Sequence, residues 1–250
     1  MIKSLSVLAG SLALMTCAAI IAAETPPVVQ VFACNYIEGK GIADLDEATD
    51  FFNAQIEKIG SADLSASQAF LWEPHVANTD RDVLWFANYD NLNALGRAHD
   101  AIGNSPEGQA ANAKFDEVVD CDSAILLSET LYDGEGDPVS DNQALLESYV
   151  CTLNDGKTLD DARAVTEDWA ELIATLPTTG GFLAFMRTPL IANVPFDLSY
   201  LLVHDSMTQY ALRQTEYMSS GGNDLTDRFN EVHNCESGLW NSRQVVPAQE

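Results

Sequence analysis

The sequence predicts an α+β protein built from two copies of one unit, each with the order strand, helix, strand, strand, helix, strand. The first observation is that residues Cys34 to Lys40 recur as Cys151 to Lys157, with cysteine and Gly-Lys in matching places. The second is that residues after each copy also match in order. The third is that, in both copies, apolar residues show strand spacing up to the Gly-Lys pair and helix spacing after it. Copies of roughly a hundred residues suit two fused domains better than a solenoid.

The matches between the two halves fall in three ungapped blocks separated by small changes in length. They extend from the first strand to the last cysteine of each half, so the duplication covers nearly the whole chain after its N-terminal segment. We therefore expect a first repeat over residues 24–132, an acidic linker over 133–142 and a second repeat over 143–250. The paired positions include Cys34 and Cys151, Asp44 and Asp161, Phe70 and Phe185, Pro74 and Pro189, Phe115 and Phe229, and Cys121 and Cys235.

Each element of the first copy follows from its residue pattern. β-branched and aromatic residues over Val28–Tyr36 predict the first strand, which ends at a Gly-Lys turn. Asp44 is the predicted N-cap of the next helix, and apolar residues from Leu45 to Ile59 recur at helical spacing. The remaining predictions are strands at 68–72, 83–89 and 123–128 and helices at 91–102 and 109–119.

This element order is the ferredoxin-like split βαβ arrangement, in which both helices cover one face of the sheet. The other sheet face is apolar and has to be buried. Two such units in one chain resemble the dimeric α/β-barrel superfamily in a fused form. The resemblance rests on element order and duplication, and on no family-specific motif. It implies two tandem ferredoxin-like units whose sheets pack as a pseudo-dimeric α/β barrel within one chain.

The resemblance also implies a disulfide pattern. In this fold the last strand of a unit lies antiparallel to the first, so the end of one meets the start of the other. Cys34 lies near the end of a first strand and Cys121 lies just before a last strand. The implied bonds are Cys34–Cys121 in the first copy and Cys151–Cys235 in the second.

The N-terminus has the pattern of a secretory signal. Lys3 precedes an apolar run from Leu5 to Ile21, and Ala22-Ala23 ends the segment. We expect residues 1–23 to be a cleaved signal peptide and the protein to be periplasmic or secreted, with no integral membrane span. A lipid anchor on Cys17 is the alternative. An even number of cysteines after cleavage favours disulfides in an oxidising compartment.

The charge of the chain excludes some partners. Its formal net charge is -26, which repels nucleic acid and anionic lipid headgroups. The acids are scattered, and 46% of the residues are hydrophobic, so a disordered chain is not expected. The acidic linker resembles a calcium loop, but Pro138 stands where an EF-hand requires glycine. We therefore predict no metal site.

Strand alternation suggests a ligand site between the two sheets. Val83, Trp85 and Tyr89 share one strand face, and aromatic residues with polar tips suit the lining of a ligand cavity. The alternative is that these side chains fill the core. Arg187 needs an anionic partner on this face, which a ligand carboxylate or Glu147 could provide. The predicted lining residues are Trp72, Trp85, Tyr89, Arg187, Tyr200 and His204.

Haem-degrading monooxygenases of the same superfamily offer a second comparison. They use an Asn on the first strand, a Trp on a later strand and a His on the second helix, and Asn35, Trp85 and His99 stand on those elements. Strand alternation places Asn35 and Trp85 on opposite faces, with Asn35 expected on the helix side. The catalytic candidates are Trp85, His99 and His204.

Three functional hypotheses remain open from the sequence. The first is an extracytoplasmic protein that binds a small apolar or aromatic ligand between its two repeats, without a cofactor. The second is a monooxygenase-like or haem-binding enzyme of the dimeric α/β-barrel type. The third is a structural or partner-binding module with a filled core. No nucleophile elbow, phosphate-binding loop or zinc-protease histidine pair is present, so the sequence leaves open whether the protein is an enzyme.

Overall fold

The computed structural model describes residues 26–178, 180–193 and 195–247. Its first half carries four strands and four helices. β1 and β3 have the predicted bounds, whereas β2 and β4 are longer. The elements are β1 (Val28–Tyr36), α1 (Ile42–Ile59), α2 (Ala62–Ala66), β2 (Gln68–Ala77), β3 (Val83–Tyr89), α3 (Leu92–Gly103), α4 (Pro106–Asp116) and β4 (Val119–Asp133).

The second half repeats this order with two differences. A π-helical turn, Met218–Gly222, joins the last two helices, and no short helix precedes the second strand in the described residues. The remaining elements are β5 (Gln143–Leu153), α5 (Leu159–Ala174), β6 (Phe182–Ile191), β7 (Leu198–His204), α6 (Met207–Tyr217), α7 (Asn223–Val232) and β8 (His233–Val246).

The first helix of each half begins with the same hydrogen bond between its third residue and the N-cap backbone. The prediction that Asp44 is the N-cap of α1 is wrong. The helix begins at Ile42, and its N-cap is Gly41. The Asp44 carboxylate accepts a hydrogen bond from the Gly41 backbone N–H at 3.1 Å. In α5 the matching Asp161 accepts from the backbone N–H of the N-cap Thr158 at 2.8 Å. Both acids thus satisfy an N–H group at a helix start.

The eight strands form one closed barrel in the order β1-β3-β2-β8-β5-β7-β6-β4. Within each half the first strand lies between the third and the last strand, all antiparallel. The halves join edge to edge through the β2–β8 and β4–β6 pairs. The predicted strand at 123–128 extends to Asp133 because the second part of β4 pairs with β6. Closure leaves the sheet without a free edge.

The strand register corrects the predicted assignment of sheet faces. On β2 and β3, Trp72 lies opposite Leu84 and Leu71 lies opposite Trp85. Residues directly opposite each other share a sheet face, so Trp72 and Trp85 point to different sides. Trp72 belongs to the barrel interior, whereas Trp85 packs on the helix side. The sequence revealed the alternation along each strand but contained no signal for the register between strands.

The barrel interior is packed with large side chains from both halves. The rings of Trp72 and Phe86 are stacked with centroids 3.6 Å apart, and Trp240 lies 6.4 Å from Trp72. Leu146 and Leu201 complete this core from the second half. A small barrel is commonly filled in this way. The predicted ligand site between the two repeats is therefore occupied by the protein's own side chains.

Both expected disulfides are present. Cys34 lies opposite Cys121 on β1 and β4, and Cys151 lies opposite Cys235 on β5 and β8. The Cα atoms of each pair are 4.1 Å apart. The bonds join sequence positions 87 and 84 residues apart, so each one closes its own half of the chain.

The N-terminal predictions concern residues beyond this description. The signal peptide over residues 1–23 and the alternative lipid anchor on Cys17 both lie outside the described residues. Among the helices that are described, none is long and apolar enough to cross a membrane.

Candidate functional site

A cavity of about 470 Å³ lies in the first half of the chain, between the sheet and its covering helices. It lies outside the barrel, on the sheet face that also carries Val83 and Ala87. Strands β1, β2 and β3 form its floor, and helices α1 to α4 contribute its roof and sides. The volume falls within the range of roughly 300–1,000 Å³ that is typical of small-molecule sites.

Aromatic side chains form most of the cavity wall. Phe52, Trp85 and Phe115 meet edge to face, with ring centroids 5.3 to 6.2 Å apart. Phe32 and Tyr89 extend the wall along the sheet. Trp85, Phe32 and Tyr89 lie on inner strands beneath helices yet are only partly buried. This arrangement favours a flat apolar ligand.

A buried glutamine and a histidine form the polar end of the cavity. Gln30 on β1 is only 6% exposed, and its Oε1 lies 2.7 Å from Nε2 of His99 on α3. With Oε1 as the acceptor, Nε2 carries a proton and Nδ1 is the basic nitrogen of the ring. Burial raises the pKa of the nearby Tyr89 to about 12, so its phenol stays neutral and can donate a hydrogen bond. This end can therefore accept a proton and orient a polar group.

The other end of the cavity is acidic. Asp116 lines it together with Asn112, and both are exposed. Asp120 borders the same end, but it lies opposite Asn35 on β1, so its side chain shares the sheet face of Asn35 and points away from the helices. Among the described residues that line the cavity, none is Lys or Arg. The cavity thus has a His-Gln end and a carboxylate end.

The equivalent space in the second half is filled. Gln30 and Glu147 are matching positions, because Gln30 lies opposite Ala87 and Glu147 lies opposite the matching Leu202. In the first half small residues leave space, whereas larger ones occupy the same positions in the second. Arg213 covers the ring of Phe182 at 4.1 Å there. The replacements are Phe182 for Ser67, Leu202 for Ala87 and Arg213 for Ala98.

His204 belongs to a buried polar cluster in this filled half. Arg213 Nη1 donates to His204 Nδ1 at 3.0 Å, and His204 Nε2 lies 3.6 Å from Glu147 Oε2. The Tyr149 hydroxyl and Gln214 Nε2 both donate to the Glu147 carboxylate, at 2.6 and 3.2 Å. Burial, as the largest cause, lowers the pKa of His204. Because its side chain is 1% exposed, we interpret His204 as a structural residue.

This cluster predicts a stability that depends on pH. The unfolded chain binds a proton at His204 with an ordinary pKa of about 6.5, whereas the folded chain binds it only at lower pH. The contribution of neutral His204 to the free energy of unfolding is therefore complete above pH 6.5 and is lost as the pH falls below that value. Urea unfolding between pH 7.5 and 5 should show this loss, and His204→Gln should reduce it. The exposed control His75→Gln should retain it; an identical slope in all three proteins would contradict the assignment.

Arg187 lies inside the barrel, on the other side of the sheet from Glu147. Its guanidinium carbon is 5.3 Å from the Phe86 ring centroid, 5.8 Å from that of Phe185 and 6.0 Å from that of Trp72. Burial lowers its pKa to about 9. Glu147 is therefore not its partner, and Arg187 forms no ion pair within the described residues. Aromatic faces stabilise this charge in place of an acid.

Comparisons with solved structures identify the architecture. No protein-family model matches the sequence, and no curated protein is similar to it in sequence. A proposed monooxygenase from Fusobacterium nucleatum subsp. nucleatum superposes with a TM-score of 0.58 at 11% identity, covering 89% of this chain and 94% of that one. Structures of this kind have the dimeric α/β-barrel fold. This chain has the dimeric α/β-barrel fold.

Two other structures share this α/β-barrel architecture. An anthrone oxidase-like protein superposes with a TM-score of 0.54 at 11% identity, covering 91% of this chain and 96% of that one. A chlorite dismutase variant from Candidatus Nitrospira defluvii has a TM-score of 0.54 at 6% identity, with coverages of 89% and 94%. At these identities the likeness concerns the fold, and function has to be argued from the site itself.

The α/β barrel separates the six predicted lining residues into three places. Trp85 and Tyr89 line the cavity of the first half, with the catalytic candidate His99. Asn35 is not with them, because it alternates along β1 with Cys34, which lines the cavity, and so points away from the helices. Its side chain accepts from the Asp82 backbone N–H at 3.3 Å. The prediction that Asn35 faces the helices is therefore wrong. Trp72 and Arg187 lie in the barrel interior, and Tyr200 and His204 lie in the filled second half.

Sequence reasoning missed several residues that the cavity brings together. Gln30 was the easiest to find, because it is the polar residue within the apolar run from Val28 to Cys34. Ala87 could have been found by comparing it with Leu202 at the matching position of the second copy. Asp116 and Asp120 had no distinguishing signal in a chain with 38 acidic residues.

Proposed function

We propose that this protein is monooxygenase-like and binds a small, flat aromatic substrate in the cavity of its first half, without haem. The observation that carries the proposal is an aromatic cavity of about 470 Å³ with the His99–Gln30 pair at one end. Two structures of the same fold are described as a monooxygenase and as anthrone oxidase-like, which favours this chemistry over binding alone.

The residues of the cavity suit oxidation of an activated C–H group by O₂. His99 Nδ1 would take a proton from the substrate carbon while Gln30 holds the ring through Nε2–H. The electron pair left on that carbon reduces O₂ and forms a new C–O bond. After the O–O bond breaks, one oxygen remains as a carbonyl and the other leaves as water with both substrate hydrogens. Tyr89 can donate a hydrogen bond to the developing oxygen anion.

Haem, which the fold allows, does not fit the residues of the cavity. Its two propionates need cationic partners, but the described lining residues include no Lys or Arg and do include the acid Asp116. In the second half Phe182, Leu202 and Arg213 fill the equivalent space. We therefore assign no step to haem.

Haemin titration tests this exclusion. We expect no saturable shift of the Soret band when haemin is added to the protein, because the acidic rim repels the propionates. A haem-binding globin serves as the positive control for the titration. A shift that saturates at one haemin per chain, and that disappears in His99→Ala, would contradict the argument and restore the haem-dependent alternative.

Oxygen consumption with anthrone tests the proposed activity. Anthrone is a neutral flat tricycle with an acidic CH₂ group, and one O₂ should be consumed for each anthraquinone and water formed. With ¹⁸O₂, one labelled atom should enter the product. His99→Ala should lower kcat/KM by about 10²- to 10⁴-fold, as expected for loss of a general base. His75→Ala, which alters an exposed histidine on β2, should leave the rate unchanged.

The outcomes separate the remaining hypotheses. Anthrone binding without oxygen uptake would favour the simple ligand-binding hypothesis, with its site moved from the barrel interior to the first-half cavity. Equal oxygen uptake by the wild type and His99→Ala would contradict the role of His99. Neither binding nor turnover by any flat aromatic probe would favour the structural or partner-binding alternative.

We also propose the organisation and location of the chain. The repeated element order favours two tandem ferredoxin-like repeats, 24–132 and 143–250, joined by an acidic linker over 133–142. The two disulfides favour an oxidising compartment, and with the N-terminal segment 1–23 as a signal peptide they support a periplasmic or secreted protein. Mass spectrometry of the exported protein should find a mature N-terminus at Glu24.

A further inference from the structure

One part of the barrel interior is apolar in the first half of the chain and polar in the second. Trp72 on β2 lies opposite Leu84 on β3, and both belong to the interior core. At the matching positions of the second half, Arg187 on β6 lies opposite Ser199 on β7. An apolar pair therefore satisfies the packing at this level of the barrel. The second half places two hydrogen-bond donors there, which packing alone does not require.

The guanidinium group of Arg187 lacks an acceptor. The residue is only 6% exposed, and its Nε is buried with no hydrogen-bond partner among the described residues. Three aromatic rings lie 5.3 to 6.0 Å from the guanidinium carbon. Rings attract the charge through their faces, whereas the five N–H groups in the guanidinium plane require lone-pair acceptors. A buried polar group left without a partner in a native fold calls for a bound ion or water.

Two serine hydroxyls flank this guanidinium group. Ser128 on β4 and Ser199 on β7 both lie directly opposite Arg187, so all three side chains share the interior face of the barrel. The Cβ atoms of directly opposed residues lie about 4.5–5.5 Å apart. Within the described part of the chain, neither serine hydroxyl forms a hydrogen bond. One cationic donor and two neutral donors thus meet in one place, and no acid lies with them.

The surroundings limit what could bind here to a small ion. The stacked rings of Trp72 and Phe86 occupy the room that an organic ligand would need. Solvent nevertheless reaches this part of the interior, because Ser199 is only partly buried and Val150, which lies opposite it on β5, is 45% exposed. An ion not much larger than a water molecule can therefore enter from this side.

We propose that the barrel binds a small monovalent anion, of which chloride is the probe, between the Arg187 guanidinium and the hydroxyls of Ser128 and Ser199. The N–H and O–H groups replace the hydration of the anion, and the guanidinium balances its charge. The net charge of -26 repels anions from the protein surface, so binding depends on the local charge of Arg187. The site lies on the other side of the sheet from the aromatic cavity and is independent of the proposed activity.

Bromide provides a direct test, because its anomalous scattering distinguishes it from water. Crystals of the mature protein soaked in sodium bromide should show an anomalous peak in contact with the Arg187 guanidinium and with the hydroxyl of Ser128 or Ser199. A soak at saturating bromide that shows only water at this place would overturn the proposal.

Urea unfolding measures the same binding in solution. Sodium chloride replaces sodium gluconate at constant ionic strength and pH 7, so that screening does not change. An anion that binds only the folded chain multiplies the folding equilibrium constant by 1 + [Cl⁻]/Kd, which is about elevenfold at ten times Kd. We expect a stabilisation that saturates with chloride. A wild-type protein whose unfolding midpoint does not depend on chloride would contradict the proposal.

Matched variants assign the effect to the barrel interior. Arg187→Met should fold, because the first half has an apolar residue at the matching position, and should lose the chloride dependence. Arg97→Met removes the same charge from an exposed position and should keep it. Ser128→Ala with Ser199→Ala retains the guanidinium and should raise the chloride Kd at least about threefold. Identical chloride dependence in the wild type and Arg187→Met would overturn the site. None of these changes should alter binding of aromatic ligands in the first-half cavity.

Discussion

Ala87→Leu should abolish binding of flat aromatic ligands without unfolding the protein. Ala87 lies on the floor of the cavity, opposite Gln30. The matching residue of the second half is Leu202, and there the chain already accommodates a leucine beneath its helices. The added side chain should occupy the space of the ligand rather than strain the core. We expect the affinity for 9-anthracenemethanol to fall at least about tenfold, measured by fluorescence titration.

A control distinguishes blockage from general disturbance. Ala113→Leu adds the same side chain at an exposed position of α4 and should leave binding unchanged. The urea midpoint of Ala87→Leu should equal or exceed that of the wild type, because the new side chain fills existing space. Retained affinity in a folded Ala87→Leu protein would mean that ligands bind somewhere other than this cavity.

Removal of either disulfide should cost about 2–5 kcal/mol of unfolding free energy. Each bond closes a loop of more than eighty residues, so its loss frees a large part of the unfolded chain. Urea denaturation of Cys34→Ala/Cys121→Ala and of Cys151→Ala/Cys235→Ala, without reductant, measures the effect. An unchanged midpoint in both double variants would contradict a stabilising role.

The two double variants should differ in ligand binding. Cys34 and Cys121 line the cavity, whereas the second disulfide lies in the filled half. We expect weaker binding of 9-anthracenemethanol after loss of Cys34–Cys121 and nearly normal binding after loss of Cys151–Cys235. Each variant thus serves as the control for the other, since both lose a similar amount of stability.

Local patterns in the sequence were sufficient for most elements of the fold. β-branched and aromatic runs placed β1 and β3 at their observed bounds, and the duplicated cysteines gave both disulfides once the fold was recognised. The cap at Asp44 was misplaced because the acid acts from the third position of the helix, where a carboxylate can also reach a free N–H group. The end of β4 was missed because its pairing with β6 joins residues far apart in the chain.

The candidate site was only partly predictable. Trp85, Tyr89 and His99 were named from the sequence and meet in one cavity, but Trp72 and Arg187 were grouped with them wrongly. Alternation along a strand shows which residues share a face of that strand, and only the register between strands shows which faces belong together. Shifting the register of β2 against β3 by one residue would have reversed the assignment.

The sequence by itself determined the duplication, most of the secondary structure and the acidic character of this protein, because these depend on residue type and local spacing. The tertiary structure alone decided that the barrel is filled, that one half is hollow and that the other is closed. The reason is that a cavity remains only where the side chains of several elements, far apart in the sequence, together leave space unfilled. Ser67, Ala87 and Ala98 leave room beneath their helices, whereas Phe182, Leu202 and Arg213 fill the equivalent room in the second half.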